Sequence, residues 1–263
     1  MLAPLTTNSE GQDAIEGIAM SSTNLTQDNS TAVVEKWVEV AGDSIPYLTA
    51  GDSGHKALLV HGAGSSRSTW KDIIPVLAKD NSVYAPDLIG FGDTPRWDIP
   101  HTLEYMSECL VGFMDTVGID KAILVGHSLG GRVCLEVALR HPERVGGLVL
   151  EAPMGFGKVA WMGRLFSHAR LLVHRVLGMK SPYPRLRFRR VEDDLPRFAE
   201  VGCDTLILWG TKDPYFPLEQ SRVALDVIPR SRLSVYSGLG HSLHGSDPAR
   251  FSADVGAFLA ERV

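Results

Sequence analysis

The sequence predicts an α/β protein, a mostly parallel eight-stranded sheet flanked by helices. Three observations predict it. Short apolar runs such as Ala57-Leu58-Leu59-Val60, Ala122-Ile123-Leu124-Val125 and Thr205-Leu206-Ile207-Leu208-Trp209 suit inner parallel strands, which are buried on both faces. Segments with apolar residues at helical spacing alternate with them. The 263 residues and a mean hydropathy near zero suit one globular domain with a sizeable core.

Composition removes several function classes. A net charge of −5 lacks the basic footprint of a nucleic-acid binder. No apolar run approaches the length of a membrane span. The cysteines, Cys109, Cys134 and Cys203, are odd in number, far apart and without metal-ligand spacing. They read as free thiols of a reducing compartment, so the expected location is cytoplasmic. Residues 1–32 differ from the rest. Thr6 to Thr31 is rich in Ser, Thr, Asn, Gln and Gly and has no Lys or Arg, which fits a disordered extension and no targeting signal. Met20 is a second candidate start.

The elements follow in order. Val33–Val40 and Ser44–Thr49 are strands joined by the hairpin signal Ala41-Gly42-Asp43. Ala57–Val60 runs into His61-Gly62-Ala63-Gly64. Ser68 is expected to cap a helix to Ala78, with Trp70, Ile73, Ile74 and Leu77 inward. Strand Ser82–Ala85 enters the loop from Pro86 to Thr94, in which Asp87 is expected to hold turn N–H groups. Thr102 opens a helix to Val117. Strand Ala122–Val125, the turn Gly126-His127-Ser128-Leu129-Gly130-Gly131 and a helix to Arg140 follow. His141-Pro142-Glu143-Arg144 is a stop, and Gly147–Leu150 the next strand. The rhythm then breaks for about fifty residues. Lys158 to Leu177 reads as helix, with Trp161, Leu165, Leu172 and Val176 at helical spacing, and Ser181-Pro182-Tyr183-Pro184 ends it. Strand Thr205–Trp209, a helix over Leu218–Ile228, strand Leu233–Tyr236 and a last helix from Asp247 complete the chain, with Phe251, Val255, Phe258 and Leu259 inward.

The turn at Ser128 is the centre of the chemistry. A serine between two glycines at a strand-to-helix switch projects its hydroxyl above the sheet. Bulky neighbours would clash there, and the following helix points its N-terminal N–H groups at developing negative charge. Gly-His-Ser-Leu-Gly-Gly resembles the nucleophile elbow of the α/β-hydrolase superfamily in its esterase-like form. Three further stretches carry the resemblance: His61-Gly62-Ala63-Gly64, Trp209-Gly210-Thr211-Lys212-Asp213 and Gly240-His241. Together they span the chain from about Val33 to its end.

The resemblance implies an α/β-hydrolase fold, with a core over 33–152 and 201–263 and a short helical lid over 153–200. It implies a triad of Ser128, Asp213 and His241, in the chain order of that fold, and an oxyanion hole from the N–H groups of Ala63 and Leu129. Glu151 is the rival acid, because some relatives carry theirs after that earlier strand. His61 is expected to brace its loop, and His244 to be a pocket or turn residue. No cofactor and no metal are implied.

A serine at the elbow excludes relatives that place Asp there, which dehalogenate or open epoxides, and the dienelactone hydrolases, which use Cys. His127 before the serine resembles esterases, lactonases and lipases, whereas C–C hydrolases of aromatic degradation more often carry Asn. The expected function is therefore hydrolysis of a small-molecule carboxylic ester, lactone or thioester through an acyl-enzyme. The alternatives are a C–C bond hydrolase and a small-molecule receptor that keeps the triad. Charge adds one more expectation. From Ala152 to Val191 there are nine Lys and Arg and no Asp or Glu, so the rest of the chain carries −14. This patch is either a solvated helix face, or it steers an anionic acyl substrate or rests peripherally on an acidic membrane surface, with Trp161, Phe166 and Leu172 facing the pocket or the lipid.

Overall fold

The computed structural model describes residues 31–95 and 101–261. All but the end of the expected disordered extension lies outside the described residues. β1 (Val34–Val40) and β2 (Asp43–Ala50) form an antiparallel hairpin. Ala41 and Gly42 between them both have positive φ, 52° and 89°, as a two-residue type I′ turn needs. β2 also pairs antiparallel with β4 (Ser82–Pro86). β3 (Lys56–Val60), β6 (Ala122–His127), β7 (Val145–Glu151), β9 (Thr205–Gly210) and β10 (Ser231–Tyr236) complete a sheet of order β1-β2-β4-β3-β6-β7-β9-β10, whose remaining pairs are parallel. All eight expected strands are present, each with ends within two residues of those expected.

Alternate residues of the inner strands feed two separate cores. Leu58, Val60, Leu124, Leu148, Leu150, Ile207 and Trp209 face the core closed by α2 (Leu103–Thr116), α3 (Leu129–Arg140) and α6 (Glu219–Val227). Ala57, Leu59, Ile123, Val125, Val149, Leu206 and Leu208 face the core closed by α1 (Ile74–Leu77) and α8 (Pro248–Ala260). Burial on both faces is why these strands read as unbroken apolar runs. Two expected caps are formed: Thr102 Oγ1 accepts the Tyr105 N–H at 3.2 Å, and Asp247 Oδ1 accepts that of Arg250 at 3.1 Å.

The helix expected from Ser68 to Ala78 is broken. Arg67–Trp70 forms one 3-10 turn, and α1 is a separate short helix. Ser68 does not cap; its hydroxyl meets that of Ser66 at 2.8 Å. Pro75 explains the break, because it has no N–H for the Lys71 carbonyl and its ring crowds that carbonyl. The inward set is nevertheless as expected, with Trp70, Ile73, Ile74 and Leu77 all buried.

Between β7 and β9 lie α4 (Trp161–Val176), β8 (Leu186–Arg187) and α5 (Val191–Asp194). β8 pairs in parallel with β5 (His101–Thr102), tying this segment to the entry of α2. The two ends of the segment meet, with the rings of Phe156 and Phe198 4.9 Å apart and both buried. The return leg is pinned to α3 by buried ion pairs. Arg132 meets Asp194 at 2.7 Å and Glu136 at 3.4 Å, and Arg197 meets Glu136 at 3.0 Å. α4 is different, since only Gly163 of its residues is buried. The stripe of Trp161, Leu165, Leu172 and Val176 points outward. None of the three cysteines forms a disulfide, and no helix among the described residues is long and apolar enough to cross a membrane.

Candidate active site

Ser128 sits between the end of β6 and the start of α3 with φ 53° and ψ −113°, a conformation costly for a side-chain-bearing residue. Neighbours hold it there. Its N–H donates to the Glu151 carbonyl at 2.9 Å, and its own carbonyl accepts the N–H groups of Arg132 and Met154, each at 3.1 Å. The flanking glycines are steric necessities. A Cβ on Gly126 would stand 2.6 Å from Gly131 Cα, and one on Gly130 would stand 2.2 Å from the Val60 carbonyl oxygen.

The loop after β3 is braced as expected. His61 is fully buried; its Nδ1–H donates to the Gly62 carbonyl at 2.8 Å and its Nε2 accepts the Leu88 N–H at 3.0 Å. Burial holds its pKa below the usual histidine value, which keeps the ring neutral for that pairing. Ala63 and Leu129 border the same cavity as Ser128, and their N–H groups have no acceptor among the described residues. Asp87 holds a turn, as expected. Its carboxylate accepts the Asp93 N–H at 2.9 Å and the Arg67 N–H at 2.5 Å, and pairs with the Arg67 guanidinium.

Asp213 lies in the loop after β9, with its side chain fully buried. Its Oδ1 accepts the N–H groups of Tyr215 at 2.7 Å and Phe216 at 3.0 Å, which leaves Oδ2 to accept His241 Nδ1–H at 2.7 Å. Tyr215, Phe216 and His127 surround the His241 ring at centroid distances of 4.8, 5.3 and 4.8 Å. Ser128 and His241 open on one cavity of about 460 Å³. The Ser128 hydroxyl makes no hydrogen bond among the described residues; such contacts commonly tighten only when substrate is bound.

Glu151, the rival acid, is engaged elsewhere. It is buried at the end of β7, and its carboxylate accepts the N–H groups of Leu243 and His244 and Nδ1–H of His244, the last at 2.7 Å. Burial would raise its pKa, but the His244 and His127 rings and the donated hydrogen bonds outweigh burial and hold it at about 2. His244 Nε2 in turn meets Thr69 Oγ1 at 2.8 Å. His127 contacts the His241 carbonyl through Nε2 at 3.1 Å, and burial brings its pKa down to about 3. His127, Glu151 and His244 offer donor atoms within 4.8 Å of one another, the spacing of a metal cluster. The Glu151 and His244 donors are already paired with each other and with the loop N–H groups, so the set reads as a hydrogen-bonded cluster.

Part of the cavity lining carries no motif in the sequence. The lining beyond the expected site residues includes Thr69, Ser167, Arg170, Tyr183, Phe188 and Tyr215. The signal for part of it was present in α4, where Gly163, Ser167, Arg170 and His174 repeat at helical spacing as a polar stripe opposite the apolar one. Arg170 Nη2 donates to the Gly64 carbonyl at 2.5 Å and meets no carboxylate among the described residues.

Comparison with known proteins agrees with this architecture. A family model described as "Alpha/beta hydrolase family" matches residues 57–254. The chain is 36% identical over 276 residues to a 2-hydroxy-6-oxo-6-(2'-aminophenyl)hexa-2,4-dienoic acid hydrolase of Metapseudomonas resinovorans, covering 90% of this chain and 95% of that protein. It is 30% identical over 249 residues to a 2-hydroxymuconate semialdehyde hydrolase of Pseudomonas sp. (strain CF600), covering 80% and 88%. Among solved structures it resembles a serine hydrolase involved in carbazole degradation, with a TM-score of 0.71 and 27% identity, covering 88% of this chain and all of that one.

Proposed function

The chain belongs to the alpha/beta hydrolase family, and from that premise we propose that it is a serine hydrolase that cleaves a carboxylic ester, lactone or thioester of a small molecule through an acyl-enzyme. Ser128 is the nucleophile in this reading. His241 Nε2 takes its proton as Oγ attacks the acyl carbon, and Asp213 orients and stabilises the resulting imidazolium. The N–H groups of Ala63 and Leu129 hold the oxyanion. His241 then protonates the leaving oxygen or sulfur as its bond to the acyl carbon breaks. Water, deprotonated by the same imidazole, releases the acid and restores Ser128.

One observation carries the reading. A strained serine shares a cavity with His241, which is bonded to the buried Asp213 at 2.7 Å. His127 at the elbow supports an ester-type substrate, because C–C hydrolases more often carry Asn there. Turnover of p-nitrophenyl acetate that disappears in Ser128→Ala tests the reading. A protein that binds acyl compounds without turning them over would instead be a receptor.

The relatives' names favour a second reading, cleavage of a C–C bond in a 2-hydroxy-6-oxo-dienoate, by the same serine and histidine. Loss of the dienoate chromophore, measured beside p-nitrophenyl ester turnover, separates the two. In either reading Arg170 is the cavity's cation and suits a substrate with a carboxylate.

A further inference from the structure

α4 is assembled inside out for a helix of a globular domain. Such a helix normally buries its apolar stripe and exposes its polar one. Here Ser167 and Arg170 border the cavity while Trp161, Leu165, Leu172 and Val176 are 68, 56, 61 and 75% exposed. Met162, Phe166, Val173, Leu177 and Met179 widen the exposed apolar surface. A contiguous patch of this kind marks a surface that something else covers.

Charge identifies what covers it. Arg164 and Arg175 border the stripe, and Lys180, Arg185, Arg187 and Arg190 continue the basic surface beyond it, all exposed. No acidic residue occurs from Ala152 to Val191. A second copy related by a two-fold axis, the commonest pairing, would set this basic face against its own like, which repels. An anionic lipid surface accepts both features at once, since apolar side chains enter the acyl boundary and basic ones meet the headgroups.

We propose that α4 docks the protein peripherally on anionic membrane, with Trp161, Leu165, Leu172 and Val176 inserted and Arg164, Arg175 and Lys180 on the headgroups. The docking stands independently of the reaction catalysed. Because the opposite side of α4 borders the cavity, docking places the cavity beside the bilayer.

Co-sedimentation of the full chain with vesicles tests it. Binding is expected to vesicles of equal parts phosphatidylcholine and phosphatidylglycerol, and at least about tenfold weaker to phosphatidylcholine alone. It should fall strongly at about 1 M salt, where the Debye length is about 3 Å. The double variant Leu165→Glu, Leu172→Glu and the double variant Arg164→Gln, Arg175→Gln should each lose at least about tenfold in binding with an unchanged melting temperature, since all four side chains are exposed. Trp161 emission should shift to the blue on binding, a shift absent in Trp161→Phe. Two results overturn the proposal. One is full-chain protein that stays in the supernatant with anionic vesicles at low salt. The other is a dimer in solution that Leu165→Glu, Leu172→Glu converts to monomer, which would assign the face to a second copy.

Discussion

Glu151 holds Ser128 with one group and the histidine loop with another. Its backbone carbonyl accepts the Ser128 N–H at 2.9 Å, and its buried carboxylate accepts the N–H groups of Leu243 and His244. One residue thus sets the distance between the elbow and the loop that carries His241. Glu151→Gln keeps the shape but turns an amide NH₂ toward groups that donate. We expect it to cost about 1–3 kcal/mol of stability, the penalty for unsatisfied buried polar groups, read as a lower urea midpoint. Its effect on kcat should be much smaller than that of Asp213→Asn. The reverse ranking would make Glu151 the triad acid.

Asp213→Asn should lower kcat by about 10⁴ if the serine-protease precedent transfers, with little change in melting temperature. The amide would present an N–H where His241 Nδ1 needs an acceptor, favouring the wrong tautomer. Activity within tenfold of the parent would remove Asp213 from the mechanism.

Ser128→Ala and His241→Ala should each lower kcat by about 10⁴ or more, and the double variant should be hardly worse than either, because in the proposed mechanism the two act as one unit. A fluorophosphonate probe should label the parent and leave Ser128→Ala unlabelled. Mass spectrometry that finds the adduct elsewhere would contradict the assignment.

Stability should fall as pH is lowered from about 6.5 toward 3. His127 has a folded pKa of about 3 against an ordinary value of 6.5, so in that window the unfolded chain binds the proton and the folded one does not. The slope from this group is at most about 1.4 kcal/mol per pH unit. Glu151 adds a second loss at lower pH. Its folded pKa of about 2 against an ordinary 4.5 gives stability that is present above 4.5 and lost as pH falls toward 2. Urea unfolding at pH 7.5, 5.5 and 4.5 measures the upper window, and His127→Asn should make it shallower, leaving the part that the buried His61 contributes.

Arg170→Gln should raise KM for a carboxylate-bearing ester about tenfold and leave that of a neutral ester unchanged. Salt should reproduce this selectivity in the parent, because steering by the basic surface is screened. Arg189, part of that surface by sequence, contributes less, since it pairs with Glu104 at 2.6 Å. Equal salt responses for the two esters would leave the basic surface without a role in substrate capture.

The parts of this chain legible in its sequence are those fixed by local backbone demands. Gly126 and Gly130 could be read because a Cβ at either would strike a neighbouring backbone, and the inner strands because burial on both faces leaves only apolar residues. Asp213 and His241 were legible by resemblance, and in the structure they lie 2.7 Å apart. What stayed hidden depends on packing between distant segments. Nothing in Thr69 announces that its hydroxyl meets His244, 175 residues later. The outward turn of α4 was equally hidden, because periodicity marks a stripe without saying which way it faces. Pro75 did carry a local warning against a continuous helix from Ser68 to Ala78.

The contact between Phe156 and Phe198 bears on how such a protein diversifies. It closes a neck between the two ends of the stretch, while the eight-stranded sheet and the Asp213–His241 pair lie outside. The ends are held by this ring pair and by Arg132 and Asp194, so the intervening stretch would act as an exchangeable cassette. A change of its sequence or length would leave the register of the eight-stranded sheet untouched and would have to respect only the short β5–β8 pairing. The reaction would then be inherited with the sheet, and the choice of substrate acquired separately with the cassette.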